Sequence, residues 1–162
     1  MATATIQLPI PPHGFSSAAP CGMSYSNGVP KLLFDADTSE FCYWQFRMPQ
    51  NYASGLTAKI QYSMASGVAN EVEFQVNVMA VSDADAQDLD AESYDADNVG
   101  SATVPGTAGY MDEISITLTN ADSVAAGDLV RIRLTTDAAD AVNDDATGDR
   151  EVWAVSLEYT TT

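Results

Sequence analysis

From residue 41 onward, apolar and polar positions alternate with a period of two. In 41–48, Cys42, Trp44, Phe46 and Met48 share one face. In 56–64, Leu56, Ala58, Ile60, Tyr62 and Met64 alternate with Thr57, Lys59, Gln61 and Ser63. In 71–82, Val72, Phe74, Val76 and Val78 alternate with Glu71, Glu73, Gln75 and Asn77. The same rhythm runs through 113–119 (Ile114, Ile116, Leu118), 128–136 (Val130, Ile132, Leu134) and 151–159 (Trp153, Val155, Leu157, Tyr159). Successive side chains of a strand point to opposite faces, so each segment predicts one buried and one wetter side. Six such segments separated by Gly, Asn, Asp and Pro predict an all-β, antiparallel β-sandwich or barrel. Parallel strands, apolar on both faces, would not alternate in this way.

Residues 1–34 follow a different rule. They hold Pro9, Pro11, Pro12, Pro20 and Pro30, five of the chain's seven prolines. Proline fixes φ and removes a backbone donor, which excludes a helix and a central strand. The segment reads as an extended arm carrying Ile6, Leu8, Ile10, Phe15, Leu32 and Leu33. Two readings of it stand side by side: it lies on its own domain, or it reaches onto a neighbour through Ile6, Leu8, Ile10 and Phe15. The resulting division is an arm over 1–37 and a sandwich over 38–162. Two connections are legible. Residues 48–55 form a turn on Pro49, Asn51 and Gly55, and 119–128 form a loop ending at Gly127. Segment 83–98 has the composition for one or two helical turns.

At 162 residues and 46% hydrophobic content, the chain suits one domain that folds without disulfide or metal. Its net charge of −17 argues against nucleic acid and against anionic membranes. The N-terminus lacks the basic and apolar regions of a signal peptide, so synthesis in a reducing cytoplasm is expected. Cys21 and Cys42 then read as free packed thiols, with a bridge between them as the alternative.

Twelve of the 23 acids sit in two base-free runs: Asp83, Asp85, Asp88, Asp90, Glu92, Asp95 and Asp97, then Asp137, Asp140, Asp144, Asp145 and Asp149. Carboxylates so dense could ligate Ca²⁺, with Asp144, Asp145 and Asp149 the nearest to a ligand set. Neither run has the EF-hand spacing, and the preferred reading is a solvated, self-repelling surface without cofactor. The single histidine, His13, sits among prolines and glycine, a poor mount for catalysis. No catalytic constellation stands out, and no enzyme is expected. Trp44, Trp153, Tyr43, Tyr62 and Tyr159 could form a sugar-stacking platform, but Trp44 and Trp153 fall on apolar strand faces and read as core. Tyr25, Tyr52, Tyr94 and Tyr110 fall in predicted loops and are the better surface-contact residues.

The stretches TSEFCYWQFRMPQNYASG (38–55), KIQYSMAS (59–66), 104–134 and DATGDREVWAVSLEYTTT (145–162) resemble small β-sandwich proteins that decorate or cement the heads of tailed bacteriophages. What the resemblance implies is a jelly-roll domain without enzymatic activity; the resemblance covers most of residues 38–162 and does not extend to the N-terminal arm. It also implies trimers bridging subunits of the major capsid protein on the virion surface, after synthesis in the host cytoplasm. The alternative is a carbohydrate-binding or host-adhesion module on a tail or fibre.

Overall fold

Period-two alternation becomes structure when each apolar face finds another to cover it, and here two antiparallel sheets cover each other. The computed structural model describes residues 1–91 and 93–162. Its strands are β1 (Thr3–Leu8), β2 (Gly14–Phe15), β3 (Gly22–Ser26), β4 (Val29–Phe34), β5 (Phe41–Arg47), β6 (Tyr52–Met64), β7 (Glu71–Val81), β8 (Asn98–Thr103), β9 (Asp112–Thr117), β10 (Leu129–Thr136) and β11 (Arg150–Thr161). One sheet runs β3-β4-β11-β6-β9, with β1 also paired to β11, and the other runs β2-β5-β10-β7-β8. No helix occurs among the described residues.

All six alternating segments are strands: β5, β6, β7, β9, β10 and β11. Their apolar faces meet in one core that includes Trp44, Ile60, Tyr62, Phe74, Val78, Ile132 and Leu157. Phe74 of the second sheet meets Phe34 and Tyr62 of the first edge-on, at centroid distances of 6.1 and 5.6 Å. Burying one such aromatic contributes about 1.5–3 kcal/mol.

The N-terminal segment departs from the expected arm. It pairs along its own chain as β1, β2, β3 and β4, and β4 is internal, between β3 and β11. Proline allows this because of where it falls. Pro9, Pro11, Pro12 and Pro20 lie between strands, and Pro30 opposes Tyr25 of β3 before the pairing with β11 begins at Leu32. No missing donor is thus required of the ladder.

Trp153 is also corrected. A register shift between Val152 and Ala154 inserts a bulge in β11. The phase slips there, so Val152, Val155, Leu157 and Tyr159 face the core and Trp153 faces outward. Its indole N–H donates to Ser63 Oγ at 2.9 Å, and Lys31 lies 5.0 Å from the ring centre.

The turn expected over 48–55 closes sooner, with Tyr52 N–H donating to Pro49 O at 3.0 Å. Gly55 instead lies inside β6 at φ +65°, opposite the register shift between Tyr159 and Thr160, where a left-handed residue is required. β8 carried no alternating signal. It pairs with β7, and at Gly100 a Cβ would stand 2.6 Å from Ile116 Cγ1 of the opposing sheet. The absent side chain is what lets the two sheet edges close.

The described part of 83–98 forms turns rather than helix. Asp85 Oδ2 accepts from Ser82 N–H and Asp88 Oδ1 from Asp90 N–H, local bonds that compete with helical ones. This segment crosses the outer face of the second sheet. Asn77 Nδ2 donates to Asp95 O and Asp97 Oδ1, and Met79 beneath is fully buried. Clefts remain on this outer face along β5 and β10.

Candidate functional site: an open cleft on the five-stranded sheet

β2 is two residues long and pairs with Tyr43 and Cys42, so β5 has an unfilled edge beyond it. His13 fills that edge: its Nδ1 accepts from Gln45 N–H at 2.9 Å. The acceptor nitrogen carries no proton in this bond, which leaves the N–H on Nε2. Next to it, the buried Trp44 indole donates to Pro9 O at 2.7 Å and holds the proline segment against the sheet. Phe15, 40% exposed, stands at the rim. Across the ladder Arg131 faces Gln45, and its Nε and Nη2 donate to Gln45 Oε1 at 3.3 and 2.8 Å. The result is a cleft of about 610 Å³ lined by His13, Phe15, Ser16, Ser17, Tyr43, Trp44, Gln45 and Arg131, with Gly14.

The neighbouring positions continue the same face. Arg133 lies between Phe41 and Tyr94, 5.5 and 4.6 Å from the ring centres, and its Nε donates to Asn77 Oδ1 at 3.1 Å. Leu129 opposes Arg47, and both line a second cleft of about 550 Å³ beneath Asp83, Asp85 and Leu89. Half of the chain's six basic residues (Arg47, Arg131 and Arg133) therefore lie on this one sheet face.

Among the described residues no carboxylate lines the first cleft. What it offers is recognition: an exposed ring for apolar contact, hydroxyls, an amide, an imidazole N–H and a guanidinium. A cavity of this size with a few convergent polar groups is typical of a binding site for a small or extended ligand.

The residues singled out from the sequence scatter. Leu8 is 5% exposed and belongs to the chain's own core, and Ile6 and Ile10 pack against that core. Of the four arm residues Phe15 is the most exposed, at the cleft, while Ile6 and Ile10 are half-buried. Trp44, Tyr62 and Tyr159 are core, and Trp153 is on the other sheet, so the five aromatics make no common platform. Tyr25 and Tyr110 are exposed; Tyr52 packs on Tyr159 and Tyr94 on Tyr43.

Asp144, Asp145 and Asp149 are not brought together as ligands. Asp144 is buried against the Arg150 guanidinium, and Asp145 Oδ1 accepts from Glu71 N–H at 2.9 Å. A bound cation would have to compete with Arg150 for Asp144. No group of three or more His, Cys, Asp or Glu fit to hold a metal occurs among the described residues. Many acids instead shape turns. Asp140 accepts from Val142 N–H and from the backbone and side chain of Asn143, and these bonds, the side-chain one foremost, hold its carboxyl below the usual range. Asp95 accepts from Asp122 and Ala96 N–H with the same effect. Glu73 goes the other way: burial pushes it up, and Asp140, Asp137 and Asp144 add repulsion against the hydrogen bond from Gln75. Glu92 lies outside the described residues.

Both cysteines are free and buried. Burial pushes the Cys42 thiol well up, and the adjacent Cys21 thiol adds to it.

Sequence reasoning missed Gln45, Ser16, Ser17 and Arg131. Gln45 and Arg131 are ordinary wet-face positions of two strands 86 residues apart. Only the ladder makes them neighbours.

No family model and no curated protein matches this sequence. Solved structures do. CBM35 from Cellvibrio japonicus Abf62 aligns over 98% of this chain and 99% of its own at a TM-score of 0.56 and 9% identity. CBM29_1, a family 29 carbohydrate binding module from Piromyces equi, aligns over 99% and 93% at 0.51 and 14%. The mosquito-larvicidal Cry4Aa toxin from Bacillus thuringiensis aligns over 99% of this chain and 24% of its own at 0.53 and 7%. At such identities what is shared is the fold, and that fold is the antiparallel jelly-roll β-sandwich.

Proposed function

We propose that this domain is a carbohydrate-binding module that holds a glycan without transforming it. The observation that carries the reading is the first cleft: about 610 Å³, open, with aromatic and neutral polar side chains converging and no carboxylate among its described lining residues. A sugar presents C–H faces and hydroxyl edges together. Phe15 and Tyr43 suit the former; Ser16, Ser17, Gln45 and the His13 Nε2–H suit the latter. Structural neighbours named as carbohydrate-binding modules support it, on the level of fold alone. Placement on a phage tail or fibre is the finer form of the same proposal.

Glycan-array screening followed by affinity electrophoresis tests it. Phe15→Ala is expected to weaken retention by about tenfold or more, as truncation of an aromatic anchor does. Its thermal midpoint should stay close to the parent's, because the ring is partly exposed. Undiminished retention by Phe15→Ala would remove the cleft from the account.

A second reading, head decoration as trimers on a virion, draws on the hairpin β3–β4. There Met23, Tyr25 and Val29 are exposed at a sheet edge, an apolar surface suited to a protein partner. Co-sedimentation with phage heads is the test. In this reading Tyr25→Asp abolishes co-sedimentation, and its retention would count against the hairpin.

A further inference from the structure

Resting on the glycan-binding reading, we propose that the cleft takes an acidic saccharide and seats a sugar carboxylate on Arg131. The chain has 23 acidic and six basic residues, so a base without an acidic partner stands out. Arg131 forms no ion pair among the described residues. Its Nε and Nη2 both donate to the single neutral acceptor Gln45 Oε1. That fork orients the guanidinium plane and leaves Nη1 without an acceptor among the described residues. A planar cation so oriented matches a carboxylate, which accepts two parallel hydrogen bonds.

The surroundings favour an anion as well. No carboxylate of the described residues lines this cleft, so none of these opposes the ligand at contact distance. More distant acids act through water and salt, which screen charge over about 8 Å at physiological ionic strength. His13 Nε2–H and the Ser16 and Ser17 hydroxyls border the same space and can donate to the sugar ring. Arg47 also forms no ion pair among the described residues, its Nε donating to Gly127 O at 3.0 Å. It shares its cleft with Asp83 and Asp85, however, so Arg131 and not Arg47 is the anion's seat.

Affinity electrophoresis of the full chain separates the possibilities. The probes are polygalacturonate, polyglucuronate and alginate, each beside its methyl ester, with dextran sulfate and a neutral glucan. At least one free acid is expected to be bound about tenfold or more tightly than its ester, the size of a charge-assisted pair of hydrogen bonds. Arg131→Gln should collapse that preference, and Lys59→Gln, on the other sheet, should leave it intact. Equal affinity for acid and ester, or a preference that survives Arg131→Gln, overturns the proposal. Binding of dextran sulfate with no uronate bound overturns the carboxylate. Retention on the neutral glucan alone, lost in Phe15→Ala, overturns the acidic class and leaves the glycan-binding reading standing. No retention on any polysaccharide overturns both.

Discussion

Asp144→Ala is expected to lower the unfolding free energy by about 3–5 kcal/mol, the cost of stranding a buried charge. Asp144 and Arg150 have side chains that are 0% exposed, and the guanidinium donates to Asp144 Oδ1. The same oxygen accepts from Glu73 N–H at 3.0 Å. Arg150 Nη1 adds a long bond of 3.4 Å to Gly148 O, while its Nε is buried without an acceptor among the described residues. Burial pushes the Asp144 carboxyl up, and Arg150 opposes that push. The charge of Arg150 therefore has one strong partner. Removing it leaves a cation in the sandwich with no route to water. At about 2–4 °C per kcal/mol for a chain this long, the thermal midpoint should fall by roughly 10 °C. Urea unfolding of single and double variants checks it. Asp144→Leu with Arg150→Met should recover most of the loss, because the charge goes with its partner. A drop under about 1 kcal/mol in the single variant would show the pair to be hydrated. Loop 137–149 is fastened to β7 and β11 by this pair, so the loop should loosen with it.

Trp44→Ala is expected to cost a similar amount, about 3–5 kcal/mol, and to abolish glycan retention. The indole is fully buried on the core side of β5, the strand whose outer face carries the cleft. Its N–H to Pro9 O is what holds the segment bearing His13 against β5. Trp44→Phe separates these roles. It keeps most of the packing but removes the donor to the Pro9 carbonyl, for about 0.5–1.5 kcal/mol. Hydrogen exchange at the Gln45 amide should then speed up, since His13 Nδ1 no longer stays in place to accept from it. An unchanged exchange rate in Trp44→Phe would mean that His13 is held by something else.

Much of this architecture is legible in the chain. Where Leu56 to Met64 or Val130 to Leu134 alternate, the face assignments follow from pleat geometry alone, and the structure repeats them. The reading fails where a local rule is broken by one residue. The bulge between Val152 and Ala154 turns Trp153 outward, and no alternation pattern announces a bulge. It fails again at β4, where Pro30 suggested an arm. Proline forbids one hydrogen bond, not a strand, and that bond is absent at the end of β4.

The sequence by itself determined the fold class, because alternating polarity leaves two covered sheets as the low-energy arrangement, and it determined the scarcity of basic residues. The tertiary structure decided the site. Gln45 and Arg131 lie 86 residues apart and become a hydrogen-bonded pair only through the β5–β10 register. His13 and Phe15 reach the same cleft only because β2 and the Trp44–Pro9 bond bring a proline-rich segment alongside. Strand polarity is a local property that two neighbours reveal. A cleft depends on which distant strands exchange hydrogen bonds, and the free energy of that choice is spread over the whole core.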